Sequence, residues 1–414
     1  MKKIGCMLLC LIFLYGCMIP GDIDKDTVLG ESKLINESPL PVMKEENEEE
    51  VISKNETPLD ETGEIEAFTP ELKAELMRKQ QDLYGFSTLE ITQQNIYVEM
   101  LYALENYVEE MEISTTEVAQ IDKIFQCVLM DHPEIFYTDG YSFVKYTLGD
   151  EVKKITFRGT YVYDEEEKER REALIENAVS EIVNGIKEDA TDYEKVKYVY
   201  ETIIKKTEYD MSAVDNQNIC SVFLSHASVC QGYAKAVQYL LMELKVPCTL
   251  VVGTVENGEG HAWNLVKVDN QYYYLDATWG DASYLFQMQE GQESQNTPAI
   301  NYDYLCVTTK EILRTHSFGD LVPMPRCEAL DANYYVKEGA YFTEVNFAQL
   351  EQLIQRYQSE GRENVTLRCS DEEVYESMAE ELLDEQKIFN YLQGDNNSIL
   401  YTDAPKQLSI TFWL

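Results

Sequence analysis

Between residues 230 and 246 apolar side chains return every three or four positions. Ala234, Val237, Leu240, Leu241 and Leu244 therefore fall on one face of a helix. Lys245-Val246-Pro247 ends it, because proline lacks the N–H that would continue the ladder. The period then changes. CTLVVGTV (248–255) reads as a strand and ENGEG as a glycine-rich turn. HAWNLVKV (261–268) and QYYYLDATW (271–279) read as two further strands separated by Asp269-Asn270.

Upstream, helical spacing covers 71–82, 92–110 and 116–131, the first opened by Thr69 as N-cap and Pro70 at the first helical position. Asp131-His132-Pro133 breaks the third. GYSFVKY (140–146) and KKITFRGTYVY (153–163) alternate or are β-rich and predict two paired strands. Helices follow over 165–189 and 192–206, the first with the acidic start Asp164-Glu165-Glu166-Glu167, which suits the positive end of a helix. Beyond residue 325, NYYVKEGAYF (333–342) reads as a hairpin, 347–360 and 371–386 as helices, and NVTLRCS and LSITFWL as strands. The pattern is α+β throughout, without internal repeats.

The remaining residues change the picture at the front of the chain. Met1-Lys2-Lys3 is a positive start, and Ile4 to Tyr15 is an apolar run too short to span a bilayer. Leu14-Tyr15-Gly16-Cys17 resembles a bacterial lipobox, with Tyr15 an unusual member. The expectation is a lipoprotein signal over 1–16, lipidation at Cys17 and an extracytoplasmic protein held to the membrane by that anchor alone. The alternative is an ordinary cleaved signal peptide with Cys17 incidental. Residues 17–68 are acid-rich and lack a lasting period, as expected of a disordered tether. The expected division of the rest is an N-terminal α+β region over 69–164, a core over 165–322 and a small C-terminal α+β domain over 323–414. With a formal net charge of −41, the 414-residue chain is a poor partner for nucleic acid, whose phosphates need clustered Lys and Arg.

Three residues carry candidate chemistry. Cys230 stands in the first turn of its helix, where unpaired N–H groups favour a thiolate. His261 opens one strand and Asp276 closes the next. If Asp269-Asn270 is a two-residue hairpin loop, Val268 faces Gln271 and the register places His261 opposite Thr278. Asp276 then sits diagonally from His261 on the same sheet face, within reach of the imidazole. A three-residue loop without a bulge would put the two on opposite faces. The backbone N–H of Cys230 is a candidate oxyanion donor. Trp263 and Trp279 either wall such a site or serve as core aromatics.

The stretches VCQGYAKA, GHAWNLV and YYLDATWGD resemble the three core motifs of the transglutaminase-like superfamily, in the order Cys, His, Asp. The resemblance covers roughly 165–320, and YDYLCVTTKEIL is similar to the tail of bacterial members. It implies a papain-like fold in which a nucleophile helix packs on an antiparallel sheet. It also implies Cys230 as nucleophile, His261 as base and Asp276 as its orienting partner. The implied activity is acyl transfer on peptide or amide bonds, resolved by water or by an amine, without a cofactor. Surface proteins or cell-wall peptides are the expected substrates. The competing class is a surface lipoprotein that binds protein or wall polymer without catalysis.

The other cysteines, Cys127, Cys220, Cys248, Cys306, Cys327 and Cys369, show no dense spacing and are expected as free thiols, and no spacing suggests a metal. His132 reads as a turn residue and His226 as a loop residue. His316 lies outside the three motifs and has no visible partner in the sequence.

Overall fold

The computed structural model describes residues 68–148, 151–281, 300–392 and 398–414. Cys17, the leader and nearly all of the acidic tether lie outside them. Among the described residues, no helix is long and apolar enough to cross a membrane.

The first region holds α1 (Pro70–Lys79), α2 (Tyr84–Thr88), α3 (Ile91–Glu105), β1 (Met111–Ile113), α4 (Ile121–Asp131), β2 (Thr138–Leu148) and β3 (Glu151–Tyr161). Thr69 caps α1 by accepting from Leu72 N, and Pro70 begins the helix. The three strands form an antiparallel sheet in the order β1-β3-β2. Helix α3 ends at Glu105, where the sequence pattern had suggested 110. Asn106 closes it, and Tyr107 then turns the chain at φ 51°, freeing Met111–Ile113 to pair with β3. Asp131 ends α4 and ties three helices together. Its buried carboxylate accepts from Gly85 N at 2.8 Å and Phe86 N at 2.7 Å, at the start of α2, and from the Tyr97 hydroxyl on α3 at 3.0 Å.

The second region holds α5 (Glu165–Val183), α6 (Asp192–Lys206), β4 (Glu208–Tyr209), β5 (Ala227–Ser228), α7 (Cys230–Glu243), β6 (Cys248–Val255), β7 (Gly260–Val268), β8 (Gln271–Leu275), α8 (Ala277–Gly280) and β9 (His316–Phe318). The last four strands make an antiparallel sheet in the order β8-β7-β6-β9. Both faces of β7 are covered. Ala262, Val266 and Val268 join the main apolar cluster beneath α7, and Asn264 Nδ2 donates to Ala234 O of that helix at 2.9 Å. Trp263 and Leu265 join a smaller cluster with Val251, Tyr274, Tyr304, Val307, Ile312 and Cys327. A strand buried on both faces cannot show the alternation of a half-exposed one, which explains the near-continuous apolar run in HAWNLVKV. Gln238 of α7 donates to Met130 O at 2.8 Å, so the helix is also fixed to the first region.

The C-terminal region is a four-stranded sheet in the order β10-β11-β13-β12, from β10 (Tyr341–Phe342), β11 (Asn364–Cys369), β12 (Tyr401–Ala404) and β13 (Ser409–Trp413), with helices Phe347–Ser359 and Glu372–Ala379. The expected hairpin over 333–342 is replaced by a one-turn helix, Tyr334–Lys337. Asn333 caps it by accepting from Tyr335 N, and Gly339 at φ 63° lets the chain leave it, so the cap signals outweigh the β propensity of the tyrosines. The strand that follows pairs in parallel with β11.

A buried charge cluster joins this sheet to the second region. Arg368 of β11 is 1% exposed, and its Nη1 donates to Asp303 Oδ1 at 3.0 Å and Asp303 O at 3.1 Å. Its Nη2 lies 3.4 Å from Glu311 Oε1, and Ser409 Oγ donates to Asp303 Oδ2 at 2.8 Å. Removing one partner of such a group leaves the others charged in the interior. Arg368→Ala is therefore expected to reduce the unfolding free energy by about 3–5 kcal/mol, read as a lower urea midpoint. A midpoint equal to that of wild type would show that the cluster contributes nothing to stability.

Candidate active site

Cys230 is the first residue of α7 and is half-buried. The residue before it, Val229, is extended and has no polar side chain to cap the helix. Thr69, Asp164, Thr191 and Asn346 cap four other helices with their side chains, whereas α2 and α4, like α7, begin without such a cap. An apolar N-cap leaves the first-turn N–H groups without a local acceptor, so their partial positive charge faces the sulfur. The approach to the helix is fixed by β5, which pairs in parallel with β4, and by Ser228 Oγ, which donates to Asn216 O at 2.9 Å. Gly232 fits this corner because it has no side chain. A Cβ there would lie 1.9 Å from Ser228 Oγ and 2.9 Å from Asn216 O.

His261 and Asp276 come from the β7–β8 hairpin. Asp269 and Asn270 both have positive φ, at 47° and 65°, and Val268 pairs with Gln271. This is the register that a two-residue loop demands. It runs as far as Asn264–Leu275 and then stops. The sequence pattern had carried the strand on to Trp279. Instead, Asp276 turns out of the ladder to cap α8, its Oδ1 accepting from Thr278 N at 2.9 Å and Trp279 N at 3.1 Å. His261 accordingly pairs with Gly253 on β6 and not with Thr278. The two side chains still meet, with His261 Nε2 2.8 Å from Asp276 Oδ2. The Cys230 thiol interacts with the same ring. Because Nε2 is engaged by Asp276, Nδ1 is the nitrogen left for the sulfur.

A fourth residue enters the site. His316, on β9, places Nε2 2.9 Å from the same Asp276 Oδ2 and is fully buried. It is the partner that the sequence did not show. Its strand is three residues long and lies 40 positions from Asp276. The only linear trace is its place shortly after YDYLCVTTKEIL. Of the other histidines, His132 caps α4 and bonds Glu134 through Nδ1 at 2.7 Å, and His226 is an exposed residue in the left-handed region at φ 55°.

Burial alone would lower the basicity of His261, but the Asp276 carboxylate outweighs it and raises the pKa to about 10. Burial alone would raise that of Asp276, but the two imidazoles hold it well below the usual carboxylate range. For His316 burial wins, and its pKa is lowered. The rings are enclosed by aromatics. Trp263 stacks on His261 with centroids 5.9 Å apart, and Trp279 lies 6.2 Å from His261 and 5.0 Å from His316. Both tryptophans thus wall the imidazoles while belonging to the smaller cluster or packing against it.

Among the described residues, His261, Asp276 and His316 are the one group whose nitrogen and oxygen atoms could converge on a cation, all within 4.8 Å of one another. Their spacing is that of two N–H···O hydrogen bonds to a shared oxygen, so protons account for the arrangement. The seven cysteines of the described residues are free thiols, and five of them are buried.

A helix led by a cysteine, packed on an antiparallel sheet that brings a histidine and an aspartate to it, defines the papain-like class of α+β folds. Residues 180–277 match the family described as the transglutaminase-like superfamily. The kyphoscoliosis peptidase of Mus musculus is 24% identical over 126 residues, 26% of this chain, and that of Homo sapiens is 26% identical over 121 residues, 25% of this chain. This chain spans under a fifth of the length of those relatives, 19% and 18%. Two solved structures are also similar. A crystallised TGase is 13% identical with a TM-score of 0.25, covering 38% of this chain and 53% of its own. The periplasmic domain of TgpA from Pseudomonas aeruginosa, bound to ethylmercury, is 11% identical with a TM-score of 0.21, covering 31% and 57%.

The site carries a pH signature. A histidine whose folded pKa is raised from 6.5 to about 10 adds stability that is complete below pH 6.5 and is lost as pH rises towards 10. Wild type should therefore lose stability relative to Asp276→Asn between pH 6.5 and 10, measured by urea denaturation at each pH. Parallel curves for the two proteins would mean that Asp276 does not hold the proton on His261.

Proposed function

We propose that this chain is a thiol enzyme that cleaves or exchanges peptide or amide bonds through an acyl-enzyme on Cys230. The observation that carries the reading is the line Cys230–His261–Asp276, with an uncapped helix start at one end and a buried carboxylate at the other.

The chemistry follows from the placement. With His261 protonated, Cys230 can react as a thiolate, and Sγ attacks the carbonyl carbon. The oxygen gains negative charge, which the Cys230 N–H at the helix start is suited to receive. The C–N bond breaks as His261 gives its proton to the departing amine, leaving a thioester on Cys230. His261, now neutral, takes a proton from water as its oxygen attacks the thioester. The acid leaves and the sulfur returns as thiolate. If an amine takes the place of water, the product is a new amide. Asp276 fixes the ring orientation and balances the imidazolium charge. Hydrolysis is the favoured outcome, because water is the acceptor present in excess at a cysteine that is only partly buried.

The substrate in this reading is a peptide or protein, outside the cytoplasm, and surface or cell-wall peptides are the proposed class. The lipobox-like Leu14-Tyr15-Gly16-Cys17 supports that location and a lipid anchor at Cys17.

The test is to incubate wild type and Cys230→Ala with casein and a tagged primary amine, followed by mass spectrometry. New peptide ends or Gln-to-Glu conversion made by wild type indicates hydrolysis, and incorporated amine indicates transamidation. Cys230→Ala should lower either by at least about 10³-fold. Equal products from both proteins would remove Cys230 from the chemistry and favour a binding role for the fold.

A further inference from the structure

We propose that His316 is a positioning residue for this site, a neutral N–H donor that locks the Asp276 carboxylate and through it the catalytic face of His261. The inference rests on the reading of Cys230 as nucleophile given above.

The argument begins with the four lone-pair directions of one carboxylate. Oδ1 accepts from Thr278 N and Trp279 N, and Oδ2 accepts from His261 Nε2 at 2.8 Å and His316 Nε2 at 2.9 Å. Without His316 the Oδ2 side would be held only by the imidazole that it is meant to orient. With it, the carboxylate is fixed from both sides and cannot follow His261 when that ring gives up its proton.

The partners of His316 bear on its protonation. Asp276 is an acceptor only, so Nε2 carries the hydrogen. Nδ1 lies 2.8 Å from Thr315 Oγ1, and the hydroxyl can donate to it. The Ile312 carbonyl and the Asp276 carboxylate favour the charged ring, but burial outweighs them and favours the neutral form, in which Thr315 O–H donates to Nδ1 and Nε2–H to Oδ2. The titratable groups that face His316 are Asp276, His261 at 5.2 Å between ring centroids, and the Tyr304 phenol at 5.7 Å. Trp263 and Trp279, each 5.0 Å away, are uncharged and hold the ring in place. One anion thus faces one cation, His261, and one neutral donor.

The backbone is shaped for the delivery. Gly253 of β6 pairs with His261 on one side and Phe318 on the other. A Cβ at Gly253 would lie 2.0 Å from Ser317 O, so its absence lets β9 come close enough to bring His316 in.

The test follows alkylation of Cys230 by iodoacetamide in the full chain from pH 5 to 9, with the modified peptide quantified by mass spectrometry. At pH 6.5 wild type should alkylate much faster than His261→Gln. His316→Leu should change in the same direction, with a rate about tenfold lower than wild type at that pH. His316→Gln, which retains an N–H donor, should recover to within about threefold of wild type. Thr315→Val, which removes only the hydroxyl, should fall between wild type and His316→Leu. A folded His316→Leu with the wild-type profile overturns the proposal, as does His316→Gln shifted as far as His316→Leu. If His316→Leu does not fold, Thr315→Val decides, and a wild-type profile for it counts against. If His261→Gln also keeps the wild-type profile, the nucleophile reading itself has failed.

Discussion

A carboxylate with no solvent contact stays ionised only if its oxygens are filled by donors. Asp276 meets this condition with two backbone amides and two imidazoles, and much of the second region is arranged around that need. The start of β7, the single turn of α8 and the arrival of β9 beside β6 each supply one or two of the four hydrogens. His261 is oriented because Asp276 is, and Cys230 meets a fixed ring because His261 is.

The helix that carries the sulfur is held independently of this carboxylate. Its first turn closes on Ser228 and Asn216 through a glycine, its middle is tied to β7 by Asn264, and Gln238 fastens it to α4. A sulfur on a rigid element and an imidazole on a rigid sheet need little reorganisation to reach each other. The uncapped start at Val229 gives up some helix stability for electrostatics at the sulfur, a local sacrifice of the kind expected at functional sites.

Much of this was legible in the chain. The period of α7, the proline that follows it and the Asp269-Asn270 loop define the helix, the turn and the hairpin register from local chemistry alone. The nearness of His261 and Asp276 follows from that register, although the contact is made by a capping aspartate and not by two paired strands. His316 was hidden because its role depends on a strand of three residues whose partner lies about 60 positions earlier, and no periodicity reports such a pairing. The one-turn helix at Tyr334 was hidden for the opposite reason. Adjacent tyrosines mimic a strand, and only the flanking Asn333 and Gly339 tell otherwise.

The Arg368 cluster has a consequence for how the chain can be divided. Tyr304 O accepts the Asp276 N–H at 3.0 Å, and its neighbour Asp303 is neutralised by an arginine more than 60 residues further on. The stretch that forms the wall behind Asp276 therefore takes its counter-charge from the C-terminal sheet. A fragment ending before β11 would leave Asp303 in the interior without the arginine that pairs with it. The part that carries Cys230, His261 and Asp276 is consequently not one that can be lifted out and grafted elsewhere, because the counter-charge of Asp303 comes from the tail.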